Sequence, residues 1–365
     1  MHAVYRRKHK YLFFFAFKFY MCGMTNSETP KNNILISNWL FSVAALVFAM
    51  IIVGAITRLT ESGLSMVEWR PLIGTLPPMN EAEWNRVFEM YQQTPEFQKK
   101  NFWMGIDDFK NIFFWEWFHR FMGRFIGLAY GLPFFIFLFM KKIPSGYTLK
   151  LFGLLILGGA QGALGWYMVK SGLVNNPSVS HYRLAAHLSV AFLILCLLMW
   201  TAMSIRGIAR TSQPKLYAHS WIAMGFLITT VFWGAYVAGL DAGLVYNEFP
   251  KMGNNLMPPE MWQLQPFWVN FFENIPAVQF AHRWIAMITA IVIISLTIHG
   301  AKKKSGWQFH ALGTLVIVQI ILGITTLLSG VWLPLAVAHQ ATAALLLIAL
   351  TMCLYKTCAA KKRPD

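Results

Sequence analysis

Four histidines stand at matching places in the two halves of this chain: His119, His187, His282 and His339. Each is expected to open a long apolar helix. Two sit in His-Arg pairs, within Glu116-Trp117-Phe118-His119-Arg120 and Gln279-Phe280-Ala281-His282-Arg283. The other two follow Leu184-Ala185-Ala186 and Ala336-Val337-Ala338. Ionisable side chains at the rim of a membrane bundle are costly, so they point to function. A lone interfacial histidine is ordinarily a hydrogen-bonded residue, but four at one depth in a repeated pattern are not explained that way. Neutral imidazoles that pair two and two suggest bis-histidine haem. Zinc is the rival metal, yet it takes three or four ligands together, commonly with Cys or carboxylate. His181, His219, His299 and His310 have no partners in the repeat and read as loop or interface residues.

Glu116 breaks the symmetry of the halves. It lies three residues before His119, on the same helical face, and its counterpart before His282 is Gln279. A carboxylate in one half and an amide in the other suggest different tasks. Proton transfer or stabilisation of developing positive charge needs the carboxylate; a resident electron-transfer haem does not. The plainer alternative is a solvated glutamate paired with Arg120. Arg120 and Arg283 have two readings as well, interfacial anchoring or pairing with haem propionates through the guanidinium fork. Arg58 and Arg124 are weaker candidates for the same role.

The elements that must position these residues follow from composition. The chain has 365 residues, 56% hydrophobic and 13% charged, against about 25% charged for soluble domains. Its long apolar runs are continuous rather than alternating, which predicts helices and not a barrel. Eight spans are expected, at roughly 38–57, 112–140, 149–169, 183–204, 217–239, 278–299, 308–329 and 335–355. Lys and Arg follow the second, fourth, sixth and eighth spans, which puts those connections and both termini in the cytoplasm. The long connections 58–111 and 240–277 then face outward. The net charge of +16 reflects this asymmetry and not a nucleic-acid partner. Cys22, Cys196, Cys353 and Cys358 form no CxxC or CxxCH, which argues against covalent haem or a thiolate zinc site.

The halves repeat. Gly54-Ala55 through Gly63-Leu64 parallels Gly234-Ala235 through Gly243-Leu244, and each reaches a Pro-Pro pair, Pro77-Pro78 and Pro258-Pro259. Gln161 to Gly165 matches Gln319 to Gly323. The expected architecture is all-α: two tandem four-helix bundles related by a parallel internal repeat. Residues 1–34 form a cytoplasmic tail, 35–210 the first repeat, 211–356 the second, and 357–365 a C-terminal tail. Met1, Met21 or Met24 are alternative starts.

Several stretches resemble the haem A synthase family, the haem O hydroxylases of cytochrome oxidase assembly. They are Gly54-Ala-Ile-Thr-Arg-Leu-Thr-Glu-Ser-Gly-Leu-Ser65, Glu68-Trp-Arg-Pro71, Phe114-Trp-Glu-Trp-Phe-His-Arg120, Gly239-Leu-Asp-Ala-Gly243, Tyr246-Asn247 with Phe249-Pro250, and Gln279-Phe-Ala-His-Arg283. The resemblance covers about residues 35–355. It implies oxidation of the C8 methyl of haem O to a formyl group, a four-electron change achieved by two hydroxylations and loss of water. It implies that His119 and His187 hold the substrate haem, that His282 and His339 hold a haem b cofactor, and that Glu116 takes part in the chemistry. Some members carry cysteine pairs in the outer loops and this chain has none, so a thiol-dependent step is not expected. Expected partners are a haem O synthase as substrate donor, an unidentified electron donor, the lipid membrane and a further copy of the chain. The expected location is a bacterial inner membrane. The rival readings are a non-enzymatic di-haem b electron carrier and a duplicated transporter.

Overall fold

The computed structural model describes residues 31–68, 76–172 and 179–359. The N-terminal tail up to residue 30, Cys22, the Trp69-Arg70-Pro71 part of one motif and the last six residues lie outside the described residues.

All eight expected spans are helices long and apolar enough to cross a membrane. They are α1 (Lys31–Leu59), α3 (Ile106–Phe139), α4 (Thr148–Gly172), α5 (His181–Ile205), α6 (Pro214–Gly239), α7 (Ile275–Lys302), α8 (Trp307–Leu328) and α9 (Leu333–Thr357). α2 (Glu81–Gln92) lies in the first long connection. In lipid a helix satisfies its own backbone groups, so an apolar run settles into one. Helix starts are marked locally. Asn274 Oδ1 accepts from the Ala277 amide at 3.0 Å ahead of α7. Proline stands in the first turn of α6, α7 and α9, where its missing N–H costs nothing. α1 begins at Lys31, inside the stretch expected to be tail.

Packing closes each half into a ring. α1 packs on α3, α3 on α4, α4 on α5, and α5 returns to α1; α6, α7, α8 and α9 repeat that order. Across the halves α1 meets α9, and α5 meets both α6 and α9, forming the seam between them. The main apolar core runs along this seam and includes Ile36, Leu40, Leu195, Leu198, Leu216, Leu350 and Leu354. At one end the α5–α6 connection is strapped to α9, with the Thr211 amide donating to Lys356 O at 2.8 Å. There the Arg210 guanidinium stacks 4.4 Å from the Tyr355 ring centroid.

At the other end each repeat leaves its first span through the same turn. Glu61 and Asp241 both take a left-handed conformation, with φ 51° in each, and each leads into a short 3₁₀ turn, Ser62–Leu64 and Ala242–Leu244. Arg58 reaches across the seam to Asp241 at 3.0 Å.

Candidate functional site

The four histidines lie on diagonal helices of the two rings. His119 is on α3 and His187 on α5; His282 is on α7 and His339 on α9. The expectation that each opens its helix is corrected. His119 falls in the fourth turn of α3, and the others fall in the second or third turns of theirs. α3 continues outward because its polar first turn is capped, and α7 starts outward of His282 at the Asn274 cap. In α3, Asp107 and Asp108 stand where the helix dipole favours acids, and Asp108 accepts from the Gly105 amide at 3.1 Å.

Each imidazole faces a glycine on a neighbouring helix. A Cβ on Gly165 would lie 3.0 Å from His187 Cε1, one on Gly234 3.0 Å from His282 Cε1, and one on Gly323 3.0 Å from His339 Cε1. Gly54 faces His119 in the same way at 3.4 Å. In each ring, then, one diagonal pair of helices brings histidines and the other brings glycines that make room for them. His119 lies within electrostatic range of His187, and His339 within that of His282.

Hydrogen bonds decide which ring nitrogen is left as a ligand. The Thr57 hydroxyl gives its proton to Val53 O at 2.8 Å, so toward His119 Nδ1, 3.3 Å away, it can only accept. His282 Nδ1 lies 3.2 Å from Thr230 O, a carbonyl that also only accepts. Both rings therefore carry their proton on Nδ1 and keep the Nε2 lone pair, the arrangement in which a second partner fixes a metal-binding histidine. Gln161 and Gln319 each present Nε2 to the Nε2 of His187 and His339, at 3.3 and 3.4 Å. Those rings too present an accepting Nε2. Their Nδ1 atoms are buried with no partner among the described residues. Paired neutral imidazoles, glycine clearance and the free Nε2 atoms of His119 and His282 fit axial ligation of one haem in each ring, with His187 and His339 exchanging their contacts to Gln161 and Gln319 for the iron.

Glu116 is 3% exposed and fully engaged. Oε2 accepts from the Met66 amide at 2.7 Å and from Ser65 Oγ at 2.8 Å. Oε1 accepts from Arg120 Nη2 at 2.5 Å, and the same nitrogen reaches Met66 O at 3.2 Å. The second half builds the same clasp on the equivalent loop residue: Gln279 Nε2 and Arg283 Nη2 donate to Tyr246 O at 2.9 and 2.8 Å. Arg283 Nη1 also donates to Glu248 O and Lys251 O. Residues three before and one after the first histidine of each half thus pin the outer loop over the ring. Only the first half does so with a negative charge.

The comparisons with known proteins agree with this geometry. The model of a family described as COX15-CtaA, cytochrome oxidase assembly protein, matches residues 37–351. This chain belongs to that family. Among the family's curated proteins, one called heme A synthase from Rhodospirillum centenum is 46% identical over 328 residues, covering 88% of this chain and 87% of its own length. A heme A synthase from Nitrosospira multiformis is 48% identical over 323 residues, covering 86% and 91%. One from Azorhizobium caulinodans is 43% identical, covering 85% and 90%.

Some features of this family member escape a reading of histidines alone. The facing glycines are visible only once the repeat is aligned, because Gly54 and Gly234 match, as do Gly165 and Gly323. The loop carbonyls of Met66 and Tyr246 occupy equivalent places for the same reason. The outer helix α2 has a sequence signal too: Asn80 three residues before Glu83 is a helix start, and Asn80 Oδ1 accepts from the Glu83 amide at 2.9 Å.

Proposed function

We infer that this chain oxidises the C8 methyl of haem O to a formyl group and so makes haem A. It is a multi-pass membrane oxidoreductase of cytochrome oxidase assembly, and haem is part of its work. The assignment of roles within it is our proposal. His119 and His187 hold the substrate haem, and His282 and His339 hold a resident haem b. Bound there, haem b supplies a one-electron relay. The observation that carries this division is the difference in charge between equivalent positions of the repeat, Glu116 opposite Gln279.

Glu116 is proposed as the group that accepts a proton from, or balances positive charge on, the reacting carbon. Arg120 holds that carboxylate and seats the loop. Arg283 seats its own loop and has a buried Nε with no partner among the described residues, a donor suited to a propionate. The basic residues after α3, α5, α7 and α9 support cytoplasmic termini in a bacterial inner membrane. A poorly soluble substrate supports direct handover from a haem O synthase. An electron donor and association of like chains remain parts of the same proposal.

The test separates chemistry from architecture. Glu116→Gln removes the charge but also one acceptor of the clasp, and breaking a buried ion pair costs about 3–5 kcal/mol. Arg120→Met breaks the same pair and leaves the carboxylate. Haem A, haem O and hydroxylated intermediate are measured per folded protein for both. Glu116→Gln is expected to abolish most haem A while Arg120→Met retains a substantial part. Equal losses would make Glu116 a fastening for the loop and nothing more.

A further inference from the structure

The two rings repeat their histidines and facing glycines, but not the walls beneath them. On α4, Gln161 Nε2 lies 3.3 Å from His187 Nε2, and a Cβ on Gly165 would lie 3.0 Å from His187 Cε1. Gly158 and Gly162 stand seven and three residues before Gly165, on the same helical face. Leu151 and Leu154, further inward on that face, are buried. A Cβ on Gly158 or Gly162 would meet nothing within 4 Å. Gly127, two turns inward of His119 on α3, is open in the same way, and its neighbours Tyr130 and Phe134 are buried. Glycine weakens a helix and is ordinarily kept in membrane bundles to let a second helix approach closely. These three admit no neighbour among the described residues.

The second ring fills the same places. With Gln161 aligned on Gln319 and His119 on His282, the counterparts of Gly127, Gly158 and Gly162 are Ala290, Val316 and Ile320. Val316 is 3% exposed and Ala290 8%, and both belong to the apolar core. One turn further in, Tyr130 and Leu154 match Ile293 and Leu312, and all four are buried. The floor of the second ring therefore stands one turn closer to its histidines, a step of about 6 Å along a helix. The wall on α1 differs the other way, with Met50 where α6 has Thr230. A Cβ on Gly123 would lie 3.8 Å from Met50 Cε, so Met50 covers α3 at Gly123 and leaves Gly127 and α4 open.

We propose that Gly127, Gly158 and Gly162 line a chamber for the isoprenoid chain of the substrate, and that this chamber makes the first ring selective for haem O over haem b. This rests on the reading of the first ring as the substrate ring. The two haems share iron, tetrapyrrole and propionates; haem O differs by a long isoprenoid chain on a pyrrole that bears no propionate. A histidine pair ligates both alike, so the axial site does not tell them apart. With the propionates toward the arginine-bearing outer loops, the chain points inward, along the open face of α4. The chain is as apolar as lipid, so enclosing it brings little attraction; what the chamber supplies is clearance. A ring walled by Val316 and Ile320 lacks that clearance and takes the haem without the chain.

The experiment titrates ferric haem O and ferric haem b, separately, into the full-length protein purified with its resident haem b. The Soret band follows the second equivalent bound. Gly158→Val copies the second ring at one position, and Gly127→Ala with Gly158→Val copies it at two. Gly159→Val is the control: a Cβ there also meets nothing within 4 Å, and its counterpart Ile317 is exposed on the outside of the bundle. The wild type is expected to bind haem O more tightly than haem b. Gly158→Val is expected to weaken haem O at least about fivefold, the lower end of an overpacking effect, and to leave haem b, resident haem b and the control unchanged. The double variant is expected to deepen the loss for haem O alone. Equal weakening of both haems, or the same loss in Gly159→Val, would overturn the proposal. A wild type that takes up no second equivalent of haem O would overturn the substrate-ring reading and the chamber with it. A wild type that binds haem O, with a preference over haem b that Gly158→Val leaves intact, would overturn the chamber alone.

Discussion

At the scale of single residues the site is defined by which nitrogen is tied. Thr57 and Thr230 O hold Nδ1 of His119 and His282, leaving the Nε2 lone pair of each ring free. The facing glycine then limits how far each ring can tilt. This argues a graded set of outcomes. Gly323→Val adds bulk where even a Cβ comes 3.0 Å from His339, and overpacking of this kind costs about 1–3 kcal/mol, a loss of roughly five- to 140-fold in haem affinity if it falls on the bound state. Gly323→Val is therefore expected to lower the haem-to-protein ratio of the purified protein. Gly54→Ala, with 3.4 Å to His119, is expected to leave it unchanged. Full haem content in Gly323→Val would show that the glycine is not a clearance for the ligand. The histidines and Glu116 were legible in the sequence as residue types at repeated spacings. What was not legible is that Ser65 and Met66, some fifty residues earlier, take up one oxygen of Glu116. Spacing along a helix shows which face a carboxylate lies on; it does not show which loop folds over it.

At the scale of elements the eight spans were readable because an apolar run has one stable form in lipid. Their outer ends were not, since capped polar turns extend α3 well beyond its apolar run. α2 and the turn after it form a small outer domain held by aromatic packing around Tyr91 and Phe109. Its stability is expected to depend on pH through Glu96. The folded carboxyl sits at about 8, above its ordinary 4.5, so the folded state binds the proton more tightly than the unfolded one. The stabilisation is complete below about 4.5 and is lost as pH rises through about 8. Hydrogen exchange of the α2 amides, corrected for intrinsic rates, is expected to show protection that falls between about pH 5 and pH 8 and is level above that. Glu96→Gln is expected to remove that dependence, since its amide does not titrate. A wild type whose α2 protection is flat over the range would mean that Glu96 is solvated rather than buried.

At the scale of the whole molecule two rings of the same design are embedded to a similar extent: within their most apolar windows α1, α3, α4 and α5 are 44%, 11%, 6% and 61% buried, and α6, α7, α8 and α9 are 33%, 28%, 17% and 39% buried. What separates the histidine pairs is Glu116 beside one and Gln279 beside the other. The two halves meet along α1, α5, α6 and α9, so a defect in one ring need not unfold the other. From this follows an ordering among four equivalent substitutions. His282→Ala and His339→Ala are expected to strip most haem b from the purified protein. His119→Ala and His187→Ala are expected to retain most haem b but fail to convert haem O. Pigment extraction with chromatographic separation measures both quantities on the same sample. The ordering follows from the proposed division: a resident haem b in the second ring would depend on both of its ligands, whereas the first ring would be filled only by substrate. Equal loss of haem b from all four variants would mean that the rings share one kind of occupant, and the division into a substrate half and a cofactor half would fall.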